Sequence, residues 1–297
     1  MKTRLGIYVF LLLAFPFAGL YLSGMDWSEL DARVLQGDAN IVNPPATLLT
    51  TLMLAGYIVF INHLNKLVNG NQPFKGQLNY LLWVSGAGAC LVWLLVYLNT
   101  YVASWASQPG NPVMQGLLYT PLFALLAPAV LHTRAFIAAL PNVLKVTTSH
   151  HTFTPPGADK LAYGLLGLGS LFLLGAANLS DAYALLAWLA PLLLLMGLQL
   201  LWNESTVFSG LKTGDNGRML CAALAGLVVG NFALFAYHSN GGLTLLESEW
   251  ITQLGLLLFG LLCMQLADVL AENWRGKKRS DLYSKKKFPI PVVVKNK

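Results

Sequence analysis

Histidines and carboxylates are the side chains in this chain that could ligate a metal or relay a proton, so their positions come first. His63 and His132 each close a long apolar run, and His150 and His151 stand side by side in TTSHHTFTPPG. The fifth histidine, His238, follows another apolar run. If those runs alternate across a membrane, the first four fall at one face with Glu204, Asp215 and Asp268. His63, His132, Glu204 and Asp268 are then the catalytic candidates, as metal ligands or as general acid and base. Their spacing argues the other way: the sequence contains no HxxxH, HExxH or DxxxD. A bis-histidine haem would need two rings buried at matching depth, whereas these histidines fall at helix ends. We expect no cofactor. His150 and His151, the remaining metal candidates, are expected to be loop residues satisfied by water, with Pro155, Pro156 and Gly157 turning the chain behind them.

Ionisable groups within an apolar span are costly, so Asp268 in CMQLADVLAEN is the carboxylate to explain. Gln265, Asp268 and Glu272 share one helical face. That face can be a proton or cation site, or a polar stripe at the water interface pairing with Arg275 or a basic loop. Proximity to the end of the run favours the stripe. Asn231 in VVGNFALFAY is the deepest polar residue and needs a partner; interhelical hydrogen bonding is its usual use. Gly226 and Gly230 just before it have the GxxxG spacing that lets two backbones approach. Gly226, Gly230 and Asn231 are therefore read as a helix-packing face, with ligand contact as the alternative. Pro121 and Pro128, seven residues apart, can kink their helix. Kinked helices help to build transporter sites, but no matching interrupted segment signals an inverted repeat.

These residues must be held by membrane helices. The 297-residue chain is 56% hydrophobic and 11% charged, where a soluble domain carries about 25% charged residues. Apolar runs of membrane-spanning length recur throughout. Eight spans are expected: Leu5–Ser23, Pro45–Asn62, Tyr80–Ala103, Val113–Leu131, Leu161–Asn178, Ala184–Trp202, Met219–Tyr237 and Ile251–Ala271. The fold class is thus all-α, a polytopic helix bundle occupying 1–271, followed by a basic tail at 272–297. The runs lack the alternation of a transmembrane barrel. The fifth and sixth spans, joined by a short link, should form an antiparallel hairpin. The first resembles a signal peptide in its MKTR start, but the apolar run continues and no A-x-A site follows, so it is expected to be retained. Cys90, Cys221 and Cys263 lie inside spans without CxxC spacing and read as small buried apolar residues.

Charge sets the orientation. With the N-terminus inside, only Arg33 among the 19 Lys and Arg residues falls on the outer side. Both termini are then cytoplasmic, in a bacterial-type inner membrane. The net charge of +6 is a topological signal and gives no reason to invoke nucleic acid. In TRAFIAALPNVLKV, apolar residues at helical spacing form one stripe, so 133–146 is expected to lie along the inner surface; the alternative is continuation of the fourth span. The tail clusters Arg275–Arg279 and Lys285–Lys287 could rest on anionic lipid. Other partners would be membrane proteins or a second copy of the chain. No nucleotide-binding, hydrolase or zincin motif is present. The expected role is a non-enzymatic subunit or helper of a membrane assembly. The rivals are a small permease using the kinked fourth span, and a membrane enzyme acting on a lipid or quinone at the cytoplasmic face.

Overall fold

The computed structural model describes residues 44–70, 72–102, 105–107, 112–140, 158–176, 184–242, 244–246 and 248–274. They form seven helices: α1 Pro44–Asn69, α2 Leu78–Val102, α3 Pro112–Ala139, α4 Ala158–Ala176, α5 Ala184–Leu201, α6 Gly217–Ser239 and α7 Glu249–Trp274. Two short strands, β1 Trp105–Ser107 and β2 Thr244–Leu246, add an antiparallel ribbon in which Trp105 faces Leu246. Five helices, α1, α2, α3, α6 and α7, are long and apolar enough to cross a membrane. The apolar run of α5, Leu185–Leu201, is shorter. The run expected at Leu5–Ser23 lies outside the described residues, as does the tail from Arg275 onward.

The exposed surface of the long helices is what a bilayer requires. Leu52, Val59 and Phe60 on α1, and Leu78, Leu82 and Trp83 on α2, are all exposed. In water they would form an apolar patch far larger than a soluble protein normally shows. Cys90 belongs to this outer surface, which corrects the expectation that all three cysteines are buried; Cys221 and Cys263 are buried. Hydropathy places a cysteine in a span but does not say which way it faces.

Cross-helix bonds fix the direction of the helices. At the ribbon end, the Asn240 amide donates to the Thr50 hydroxyl (3.4 Å), and the Tyr119 and Tyr237 hydroxyls meet at 2.8 Å. At the other end, the Tyr80 hydroxyl donates to the Ala267 carbonyl (3.0 Å). The ribbon ties the α2–α3 connection to the α6–α7 connection. Opposite it lies a basic end carrying Lys66, Lys75, Arg134 and Arg218.

The centre of the bundle is α3. Ala127, Ala129, Val130, Thr133 and Phe136 are buried against α1, α2 and α6. A Cβ on Gly88 of α2 would stand 2.6 Å from Ala127 Cβ, so only glycine allows that approach. The helix runs unbroken through Pro121 and Pro128. Thr133 donates to the Ala129 carbonyl at 2.8 Å, one turn below the second proline. Residues 133–139 continue α3, with Phe136 and Ile137 in the core; the remainder of the segment read as an inner-surface stripe, 141–146, lies outside the described residues.

Glycines also allow close approach in two further helix pairs. In α4 and α5, a Cβ on Gly169 would meet Leu194 Cγ at 2.9 Å, and one on Gly197 would meet Leu166 Cγ at 2.8 Å. The reciprocal pairing of low with high numbers makes them antiparallel. In α6 and α7, Gly226 sits directly on the backbone of Leu256 and Gly260, while Gly230 is filled by the Leu256 side chain.

Candidate functional site

Two amide pairs join helices inside the bundle, although Gln265 Oε1 in the second has no hydrogen-bond partner. Asn231 on α6 donates to Gln253 Oε1 on α7 at 2.7 Å, and Gln253 Nε2 returns a bond to Asn231 Oδ1 at 2.9 Å. Asn231 also donates to the Leu227 carbonyl one turn back (2.9 Å). Both donors of that amide are thus engaged. The pair lies next to Gly230, so the seam that brings the two backbones together also brings the amides within reach. A second pair lies deeper toward the basic end, where Gln265 Nε2 on α7 donates to Gln199 Oε1 on α5 at 3.0 Å. Gln199 in turn approaches the Ser205 and Gln265 carbonyls at 3.5 Å.

One helical turn beyond Gln265, the basic end opens into a cavity of about 550 Å³. Its charged lining is Arg134 from α3, Arg218 from α6 and Asp268 from α7. Gln77, Asn79 and Ser205 contribute neutral polar groups, from the start of α2 and the turn after α5. Arg218 Nη2 is in an ion pair with Asp268 Oδ1. Arg134 stands in the field of Arg218, Asp268 and Asp215, and its buried Nε has no hydrogen-bond partner. Arg218 Nε is buried without an acceptor as well. Two guanidiniums therefore share one carboxylate in the lining. Asp215 is exposed and outside the lining, where its Oδ1 accepts the Gly217 N–H (2.8 Å) and starts α6.

The catalytic candidates do not gather here as a set. Asp268 lines the cavity, and its partner is Arg218; Arg275 lies outside the described residues. His132 is buried with Nδ1 2.9 Å from the Pro128 carbonyl, and its ring packs on Phe74 at 4.8 Å between centroids. Its own carbonyl accepts from Asn65 Nδ2 at 3.1 Å. His63 is exposed on α1, and Glu204 is half-buried in the turn after α5. No cluster of three or more His, Cys, Asp or Glu able to hold a metal occurs among the described residues. His150 and His151 lie outside them.

A third feature sits toward the ribbon end. A cavity of about 270 Å³ is walled by Trp93, Trp105, Trp188, Phe123 and Phe259. The paired Tyr119 and Tyr237 line it together with Gln115, Thr244 and Thr252.

Sequence reasoning passed over Gln253, Gln199, Arg134 and Arg218. For Gln253 a signal existed. Residues 231 and 253 are equidistant from Gly242, so an antiparallel hairpin through HSNGG sets them level. The arginines were hidden by their second role, since each also fits a simple charge rule for topology. No known protein family, curated protein or solved structure matches this chain.

Proposed function

We propose that the chain is an eight-span protein of a bacterial-type inner membrane, with both termini cytoplasmic, serving as a non-enzymatic subunit or helper of a membrane assembly. In this reading the five long helices are joined by the α4–α5 hairpin and by Leu5–Ser23, and the basic end faces the cytoplasm. At about 1.5 Å per residue, the 19 residues of α4 and 18 of α5 reach roughly 27–29 Å, close to a hydrocarbon core of about 30 Å.

The observation that carries the reading is the reciprocal pairing of Asn231 with Gln253 across α6 and α7. A permease needs polar groups within the bundle that are free to hold a solute. Asn231 and Gln253 spend theirs on helix pairing. The test is purification in mild detergent with quantitative mass spectrometry and an absorption spectrum. A membrane protein co-purifying at fixed stoichiometry supports the reading. A colourless single chain that drives solute flux in proteoliposomes, or turns over a lipid or quinone, overturns it.

A second reading, an enzyme acting on a lipid at the cytoplasmic face, is favoured by the position of the polar cavity at one end of the spans. Turnover of inner-leaflet lipid by the reconstituted protein would establish it.

A further inference from the structure

We infer that the cavity at the basic end binds one oxyanion group, of phosphate or carboxylate type, between Arg134 and Arg218. The inference goes beyond the subunit reading and does not depend on it. Its first support is charge. The lining holds two guanidiniums and one carboxylate, and that carboxylate is engaged by Arg218. Arg134 has no carboxylate of its own in the lining, and both guanidiniums are short of acceptors at Nε. A partly buried charge left uncompensated is costly, and a bound anion removes that cost. The planar guanidinium fork matches the oxygens of a phosphate or carboxylate, which a single ammonium does not. Gln77, Asn79 and Ser205 can complete the hydrogen bonding.

The second support is depth. Asp268 lies 18 residues past Trp250, about 27 Å along α7, and Arg134 lies 21 residues past Val113, about 32 Å along α3. Arg218 precedes Ser239 by 21 residues, again about 32 Å. All three therefore stand roughly one hydrocarbon thickness from the far ends of their helices, at the level of lipid phosphates. Phe74, Tyr80 and Met264 give the same cavity an apolar side. A volume of about 550 Å³ holds a headgroup as easily as a free anion. The shared chemistry is the oxyanion, whether it arrives on a lipid or from the cytoplasm.

The test titrates the full-length protein in detergent with short-chain phosphatidylglycerol, with phosphatidylcholine of equal chain length, and with inorganic phosphate. Binding is read by native mass spectrometry and by the shift in melting temperature. Phosphatidylglycerol should bind one to one and raise the melting temperature, and phosphatidylcholine should not. If inorganic phosphate alone raises it as much, the site takes a soluble anion; if only phosphatidylglycerol does, it takes a headgroup. Arg134→Gln should weaken binding about tenfold or more. Ser205→Asp, at an exposed turn position, should do the same by placing a negative charge in the lining, and it keeps the site testable if Arg134→Gln fails to fold. Replacing Lys285, Lys286 and Lys287 together by Gln should leave the Arg134-dependent binding intact. Equal binding of both lipids, no effect of either anion, or binding lost in the lysine variant and unchanged in Ser205→Asp would overturn the site.

Discussion

Replacing Asn231 and Gln253 by leucine, singly and together, asks whether this interhelical amide pair serves packing. Two reciprocal bonds of 2.7 and 2.9 Å join them across α6 and α7. Interhelical hydrogen bonds in membranes average about 0.6 kcal/mol, so the pair should couple by about 1.2 kcal/mol. Either single change also strands the other amide, which adds a desolvation penalty of about 1 kcal/mol or more. Each single variant should therefore lose roughly 1–2 kcal/mol. The double variant, with no amide left to satisfy, should lose less than the sum of the two. Reversible unfolding in mixed detergent micelles, followed by circular dichroism, measures all four corners of the cycle. Strict additivity would refute the packing assignment. So would singles of unchanged stability that had lost the partner or the flux the wild type shows, because the amides would then be serving a ligand.

The glycine seam gives an ordering: Gly226→Ala should cost about 2–3 kcal/mol and Gly230→Ala about 1 kcal/mol, since the first meets the α7 backbone and the second the Leu256 side chain, which can move. Unfolding midpoints in the same micelles check it, and the reverse order would contradict the geometry. Asp268→Asn should cost about 1–3 kcal/mol by leaving Arg218 and Arg134 facing each other without a carboxylate, whereas an effect below about 0.3 kcal/mol would mark the pair as surface decoration. For topology, Lys75→Cys and Ser205→Cys should react with an impermeant maleimide only after permeabilisation, while Ser239→Cys should react in intact cells. Changing His150 and His151 together to Asn should leave metal content and visible absorption as in the wild type; stoichiometric metal lost in the double variant would establish a metal site there.

Much of the helical layout was legible in the sequence because hydropathy reports depth directly. Met219–Tyr237 is embedded in the observed Gly217–Ser239, and Ala184–Trp202 differs from Ala184–Leu201 by one residue. The largest overrun is α3, expected to stop at Leu131 and observed to Ala139. Hydropathy measures the part of a helix that lies in hydrocarbon, whereas backbone hydrogen bonding carries the helix on past Arg134. The ribbon of Trp105–Ser107 with Thr244–Leu246 left no such trace, because three residues are too few for an alternating pattern. Pairing across helices was the least legible. The run of polar residues at Gln265 and Asp268 was visible on one helix, but their partners, Gln199 and Arg218, come from helices whose faces the sequence does not assign.

The most direct test of interhelical amides closed on one another is cysteine accessibility at positions 231, 253 and 265, introduced one at a time with Cys90, Cys221 and Cys263 replaced by alanine. Hydrophilic methanethiosulfonate reagents should modify none of the three from either side of the membrane, at any reagent charge. Modification at 231 or 253 from one side, slowed by a solute that the protein moves, would contradict it and place a water-filled path where the paired amides now stand.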